Sequence, residues 1–306
     1  MKNFAIIGVA GYIAPRHLQA IKDTKNNLVA ALDPSDNVGV LDKFFPETAF
    51  FTEFERFDKY LFKINNTNKK VNYLTICSPN YLHDSHIRYG LRNNFDVICE
   101  KPLVINYRNL KNVSSIEKLT KCNVKCILQL RYHPSILKLK KLLRKSSKIN
   151  EVKLTYITPR GNWYHHSWKG NINKSGGILT NIGIHFFDLL QWIFGTCISS
   201  EIHFLSEKTA SGFLKLKKAK VSWFISIDKK YLPNNSKKSS LRSIRVNNEE
   251  VDLDYNFESL HTKCYQEIIN NKGYGIRDVA PSIKLVSELR EKKIKKKNIK
   301  HPFLVL

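Results

Sequence analysis

Long apolar runs are missing from this chain. No stretch of about 18 consecutive apolar residues occurs, so nothing in the sequence reads as a membrane span. The opening Met1–Gly8 is basic and then apolar, in the manner of a signal peptide. Its apolar run is short and passes straight into a glycine turn and a helix pattern, so it reads as a first strand and no targeting segment is assigned. Cysteine is present six times but never as CxxC. That excludes a zinc ribbon and gives no disulfide framework. Cys77 and Cys99 lie inside apolar strand-like runs, as reduced core residues of a cytoplasmic protein do. There is no internal repeat. Acidic residues are scarce, with 26 Asp and Glu against 51 Lys and Arg, a net charge of +25. Such a balance suggests nucleic acid. The lysines, however, are spread over the whole chain, with one dense block at Lys292–Lys297, and accompany much Asn, Ile and Phe. An A+T-rich coding sequence leaves the same bias, so no nucleic-acid partner and no membrane are expected. A positive field still favours an anionic small substrate.

What is present is a globular chain of 306 residues, 42% hydrophobic and 11% aromatic, enough for one or two domains. Phe4–Gly8 is an apolar strand ending on glycine, followed by Gly8-Val9-Ala10-Gly11-Tyr12-Ile13-Ala14 and a helix pattern with Leu18 and Ile21. Leu28–Asp33 is a second strand ending on an acid. Strand, glycine turn, helix, strand and acid form the pattern of a dinucleotide site. The glycines admit a pyrophosphate, the helix N-terminus meets its charge, and an acid about 20 residues on accepts ribose hydroxyls. Asp33 follows Gly11 by 22 positions. The glycine pattern is degenerate, with Ala10 and the Tyr12–Ile13 pair where further glycines are usual, and a βαβ unit without ligand is the rival reading. The acid, with Pro34 next and no arginine after it, favours NAD over NADP. Further strands are expected at Val71–Cys77, Asp96–Cys99 and Val124–Leu130, with helices at Phe54–Ile64, Tyr81–Asn93 and Tyr107–Leu119. Alternation of this kind means a doubly wound parallel sheet, with ligands at the carboxyl ends of its strands. There stand Ser78, Asn80 and His83 of Ser-Pro-Asn-Tyr-Leu-His, and Glu100-Lys101-Pro102. Read alone, both stretches are ordinary turns.

The pattern changes near residue 150. Strands are expected at 151–157, 201–205, 212–216, 221–227 and 243–246, with helices at 258–269 and 279–288, an α+β arrangement. The loop Arg160–Trp168 is dense in aromatic, amide and basic groups, suited to a sugar or a base or equally to structural packing. In Ser175–Leu190, Asn181, His185 and Asp188 recur at i, i+4 and i+7, hence on one helix face, with Gly177 and Gly183 allowing close approach. A polar stripe among apolar residues needs partners or is a site. Oxidising a secondary alcohol needs a hydride acceptor and a base. Lys101 can serve if burial or a neighbouring charge lowers its pKa, and His185 can share the proton. No metal is expected.

Taken together, Gly8–Ala14, Asp33, Ser78–His83, Glu100-Lys101-Pro102 and Gly176-Gly177…Asn181…His185…Asp188 resemble the Gfo/Idh/MocA oxidoreductases. The resemblance implies an NAD-binding Rossmann domain (1–122), an α+β domain with a large mixed, mostly antiparallel sheet for substrate and oligomerisation (123–290), and a basic tail (291–306). It places the active site between the two domains, with Lys101 and His185 catalytic and a cis Lys101–Pro102 bond. Gly8, Gly11, Tyr12, Ile13, Asp33, Ser78, Asn80, His83, Glu100 and Gln129 would face the cofactor. The substrate would meet Lys101, Arg131, Arg160, Asn162, Tyr164, Asn181 and His185, with Lys169 a further anion partner. Longer stretches, among them Gly11–His17, Ile127–Arg131, Thr155–Tyr164 and Gly273–Ile276, are similar to the bacterial UDP-N-acetylglucosaminuronate 3-dehydrogenases of lipopolysaccharide O-antigen assembly. That subgroup implies NAD-dependent oxidation of the sugar 3-hydroxyl in the cytoplasm, a homo-oligomer (dimer or tetramer), and a downstream PLP-dependent aminotransferase. Another sugar or inositol dehydrogenase of the family, and a non-enzymatic NAD-binding or nucleic-acid-binding protein, are the alternatives.

Overall fold

The computed structural model describes residues 1–144, 148–233, 239–253, 259–295, 301 and 303. Most of the tail expected at 291–306, including residues 296–300, 302 and 304–306, lies outside the described residues.

The first sheet is built from six short strands: β1 (Asn3–Ile7), β2 (Asn27–Leu32), β3 (Ala49–Phe51), β4 (Tyr73–Ile76), β5 (Asp96–Cys99) and β6 (Val124–Cys126). All pair in parallel in the order β3-β2-β1-β4-β5-β6, the doubly wound arrangement expected. β4 is buried along its whole length and β5 at all but its first residue, the signature of strands covered on both faces. The helix Phe54–Ile64 falls where periodicity placed it. It buries Phe57, Leu61 and Ile64, one stripe at i, i+4 and i+7. Each fully buried side chain of this kind stabilises by about 1.5–3 kcal/mol. The expected helix Tyr81–Asn93 starts instead as a 3₁₀ turn, Asn80–Leu82, and becomes α-helical over His83–Arg92. Pro79 precedes that turn in an extended conformation, which delays the helix.

The second sheet runs β12-β11-β7-β10-β9-β8, from β7 (Asn150–Ile157), β8 (Cys197–Leu205), β9 (Thr209–Leu216), β10 (Ala219–Ser226), β11 (Leu241–Val246) and β12 (Glu249–Glu250). Only β7 and β10 pair in parallel; the other neighbours are antiparallel. The stretch Ile172–Phe194 is long and apolar enough to cross a membrane by composition, but 83% of its most apolar window is buried inside the fold, as in a core helix. It is not one regular helix. A short helix Ile172–Ser175 is followed by a π-helical turn, Leu179–Gly183, and then the helix Ile184–Phe194.

The chain clusters into two compact units that are discontinuous in sequence. One holds Met1–Val104, Arg108–Gln129 and Asn256–Val279; the other holds Ile105–Tyr107, Leu130–Tyr255 and Ala280–Leu306. The order of elements along the chain predicts consecutive segments, with 256–279 in the second. Two contacts explain the difference. The helix Leu260–Ile269 packs on Ala14–Asp23, and the backbone beyond it runs along the open edge of β6, where Cys126 N–H donates to Tyr274 O at 2.9 Å. Covering an exposed strand edge is a general requirement of sheets. A helical pattern in the sequence does not say which sheet it will cover.

Candidate active site

In the first unit, the carboxyl ends of β1 and β4 are adjacent, at the point where strand order reverses. Gly8 closes β1 with φ +90°, and a Cβ there would lie 2.6 Å from the backbone of Cys77 and Ser78. Only glycine permits this approach. The following helix, Ala14–Asp23, has no side-chain cap and no acid in its first turn. Pro15 has no N–H, and the amides of Ala14 and Arg16 donate to Gly11 O at 3.0 Å and Ile13 O at 3.1 Å, so what this end offers an anion is the positive pole of the helix. Asp33, at the end of β2, accepts from Ala10 N–H at 3.0 Å and from Ser35 N–H at 2.9 Å. Tyr12 is exposed and Ile13 half-buried beside them. Ser78, Asn80 and Gln129 are buried, and Gln129 Oε1 has no hydrogen-bond partner among the described residues. A glycine turn against the β4 end, an uncapped helix N-terminus, an acid closing β2 and an orphaned amide oxygen fit an NAD molecule with its ribose at Asp33.

Two residues expected to face the cofactor point into the protein instead. His83 is fully buried. Its Nε2 faces Ser78 O at 2.8 Å and its Nδ1 faces Pro102 O at 2.7 Å. Burial lowers its pKa, against the pull of the two carbonyls towards the imidazolium. Glu100 is also buried: Oε1 lies 2.9 Å from His17 Nε2 and 3.3 Å from His261 Nε2, and Oε2 accepts from Lys101 N–H at 3.2 Å. Burial alone would push its carboxyl up, but the hydrogen bonds from the two imidazoles outweigh it and hold it well below the carboxylate range. The chain of contacts continues from His17 Nδ1 to Tyr265 OH at 2.9 Å and from there to Thr75 Oγ1 at 3.0 Å. Burial lowers the His17 pKa from its ordinary value, against the pull of Glu100. The Glu100 carboxylate can only accept, so Nε2 carries the hydrogen, and on the neutral ring that burial favours the other directions follow. Thr75 donates to Tyr265, Tyr265 to His17 Nδ1, and His17 Nε2–H to Glu100. The ligand atoms of His17, Glu100 and His261 lie within 4.8 Å of one another, a set that could take a cation; both Nε2 atoms reach Glu100 Oε1 directly, while His261 Nδ1 is buried with no hydrogen-bond partner among the described residues. Lys101 stands half-buried between these two anchored neighbours, with the Lys101–Pro102 bond cis. His17, His261 and Tyr265 were missed in the sequence. The i, i+4 pairing of His261 and Tyr265 on an apolar helix was the available signal.

In the second unit, the polar stripe divides. Asp188 is bound bidentately by Arg131, Nε to Oδ2 at 2.8 Å and Nη2 to Oδ1 at 2.7 Å, and Ser282 Oγ donates to Oδ1 at 3.2 Å. Arg131, expected as a substrate partner, is buried and committed to this pair through two of its nitrogens. Asn181 sits in the π-helical turn and donates through Nδ2 to Tyr164 OH at 2.9 Å. His185 follows at the start of the next helix, half-buried. A π turn shifts the register of side chains around the helix and recurs at functional sites, so the regular i, i+4, i+7 face read from the sequence is broken between Asn181 and Asp188. Gly183 serves packing: a Cβ would meet the Phe187 ring at 2.8 Å and Ile225 of β10 at 3.0 Å. In the loop after β7, Arg160 and Asn162 are exposed and Tyr164 is buried. Lys169 Nζ lies over the rings of Trp163, at 5.4 Å, and Trp168, at 4.7 Å. Burial and the neighbouring Arg160 lower its pKa. Burial likewise raises Tyr164, against its bond to Asn181 and the charge of Arg160.

Comparison with known proteins gives the same picture at full length. The structure is similar to the WlbA (WbpB) dehydrogenase of Thermus thermophilus solved with NAD and UDP-GlcNAcA, with a TM-score of 0.95 and 44% identity over 99% of this chain and 100% of that one. The same protein has been solved with NAD and alpha-ketoglutarate, at a TM-score of 0.96. Among curated sequences, glucose-6-phosphate 3-dehydrogenase of Bacillus subtilis is 25% identical over 205 residues, 63% of this chain and 54% of that protein. The chain spans only 16 to 54% of the length of the first curated relatives it matches. Residues 2–127 match the profile described as "Oxidoreductase family, NAD-binding Rossmann fold", and residues 140–231 match its partner, "Oxidoreductase family, C-terminal alpha/beta domain". With both profiles found in order over most of its length, the chain belongs to the Gfo/Idh/MocA family of NAD-dependent oxidoreductases.

Proposed function

We propose that this protein oxidises the 3-hydroxyl of UDP-N-acetylglucosaminuronate to the 3-keto sugar nucleotide, with NAD as cofactor. The observation that carries the reading is the full-length, 44%-identical likeness to the Thermus dehydrogenase solved with NAD and UDP-GlcNAcA. The name of the Bacillus relative supports oxidation at the same sugar position. NAD, when bound, supplies the hydride acceptor. Gly8, Gly11, Tyr12, Ile13, Asp33, Ser78, Asn80 and Gln129 are the residues we assign to holding it. The hydroxyl proton goes to Lys101 in this reading, and His185 is the second candidate for the base; a base works best with a pKa near the operating pH. Arg160 and Lys169, two cations whose charges oppose each other, gain from an anion placed beside them, and Arg grips phosphates and carboxylates bidentately. Asn162, Tyr164 and Asn181 complete the proposed substrate contacts.

The test is to incubate the purified protein with NAD and UDP-N-acetylglucosaminuronate and to look by mass spectrometry for a product two hydrogens lighter. Turnover of an unphosphorylated sugar or inositol in its place would replace this reading with that of another dehydrogenase of the family. Lys101→Ala is expected to bind NAD and lose turnover; undiminished turnover would remove Lys101 from the chemistry. The alpha-ketoglutarate complex of the Thermus protein supports a 2-oxo acid as the final oxidant, reduced to its 2-hydroxy acid. Sustained turnover on substoichiometric NAD only when alpha-ketoglutarate is added would bear this out. The 3-keto product suits a PLP-dependent aminotransferase in O-antigen synthesis, in the cytoplasm, where six free cysteines persist. A homo-oligomer, dimer or tetramer, belongs to the same reading. Light scattering on the eluted protein would give its mass.

A further inference from the structure

Lys101 has a buried histidine system on each side of it in the chain. On the amino side, His17 and His261 both reach Glu100 Oε1, at 2.9 and 3.3 Å, and Glu100 Oε2 turns back to accept the N–H of Lys101. On the carboxyl side, His83 Nδ1 lies 2.7 Å from the carbonyl of Pro102, while its Nε2 lies 2.8 Å from the carbonyl of Ser78. The three imidazoles are all essentially inaccessible to solvent. They come from three different places: the helix after the glycine turn, the helix after β4, and the helix Leu260–Ile269 far along the chain. A buried carboxylate with two imidazoles costs more to bury than apolar side chains of the same volume. What it supplies that apolar packing does not is direction, because each hydrogen bond fixes an orientation as well as a distance.

We propose that His17, His83 and His261 are positioning residues for Lys101. Together they anchor Glu100 and Pro102, fix the backbone on both sides of the lysine, and present its amine in one orientation. The lysine side chain is long and loses much rotamer freedom when ordered, so a fixed origin narrows the volume its amine explores. His261 gives the late helix a part in the site: it couples the segment 256–279, through Glu100, to the strand end that carries Lys101. The proposal rests on the assignment of the hydroxyl proton to Lys101.

The experiment uses the full chain with NAD and UDP-N-acetylglucosaminuronate and compares Lys101→Ala, Glu100→Gln, His261→Gln and His261→Ala. Glu100→Gln keeps the shape and removes the charge. For Glu100→Gln and His261→Gln we expect kcat to fall about 100-fold, the cost of a small misplacement of a reacting group. The KM for the sugar nucleotide and the NAD dissociation constant from fluorescence titration should stay close to wild type, with the circular dichroism spectrum unchanged. Added imidazole should restore part of kcat to His261→Ala and none to Lys101→Ala. Wild-type kcat in both folded Gln variants overturns the proposal. So does a joint loss of kcat, NAD affinity and melting temperature that imidazole does not reverse, which would mean a purely structural network. Loss of wild-type turnover on chelation, restored by a divalent ion, would make the trio a metal site and also overturn it. Full turnover in Lys101→Ala removes the premise; turnover lost in Lys101→Ala but normal in the Gln variants rejects the brace alone and leaves the proposed function standing.

Discussion

A buried charge is informative because it is costly unless paired. Asp188 and Arg131 are both almost wholly inaccessible, with side-chain exposures of 5% and 4%, and their two hydrogen bonds are short and parallel. Breaking such a pair from one side leaves an uncompensated charge and costs about 3–5 kcal/mol, whereas replacing both partners with apolar residues is often neutral. We expect Asp188→Leu alone to lower the unfolding free energy by about that amount, and Arg131→Met with Asp188→Leu to recover most of it. Urea unfolding of the two single variants and the double variant reads this directly. A loss that is simply additive in the double variant would show that the two residues do not act as a pair. In the sequence, Arg131 was a candidate anion partner because arginine suits phosphate and carboxylate. Nothing in the chain said that a carboxylate 57 positions away would reach it first.

Helices carry the chemistry of this protein to positions that their neighbours in sequence do not predict. The helix Leu260–Ile269 contributes Tyr265 OH as the link between His17 Nδ1 and Thr75 Oγ1. Tyr265→Phe keeps the ring and removes the hydroxyl, leaving the His17 acceptor and the Thr75 hydroxyl without this partner in a buried setting. A cost of about 1–3 kcal/mol is expected, visible as a lower urea midpoint at an unchanged slope. No shift in midpoint would mean that His17 and Thr75 find other partners. The π-helical turn Leu179–Gly183 is a second case. Its position just before His185 separates Asn181, which meets Tyr164, from Asp188, which meets Arg131. Regular periodicity placed all of them on one face, and the π turn is decided by packing, with Gly183 against Phe187 and Ile225.

At the scale of the whole molecule, buried histidines set the response to acid. Burial lowers His17 and His83 from the usual 6.5, and lowers His86 and His301 to about 4. In each case the unfolded chain binds the proton before the folded one does. Stability is therefore full above about pH 6.5 and falls as the pH drops through the window down to about 4. Glu100 acts in the same direction at lower pH. Its folded pKa lies well below 4.5, so its contribution is present above that value and is lost as the pH falls further. Melting temperatures measured from pH 7 to pH 4 should fall steadily. His301 stacks on Phe224 and Phe303, so His301→Phe keeps the stack and should flatten part of the slope. An identical slope would exclude His301 as a contributor.

The sequence by itself determined the local elements and the identity of the dinucleotide half. A short apolar run placed β5, and helical patterns placed Phe54–Ile64 and Tyr107–Leu119, at their observed bounds, because those signals depend only on neighbouring residues. The glycine turn and Asp33 were legible for the same reason, since the distance between them along the chain is set by one strand-helix-strand unit. The tertiary structure alone decided what the polar groups are for. It turned Glu100 and His83 inward, paired Arg131 with Asp188, brought 256–279 back to the first sheet, and set a π turn before His185. Each of these depends on contacts between residues far apart in the chain. The free energy of a buried polar group is fixed by its partner, and the partner is chosen by the fold.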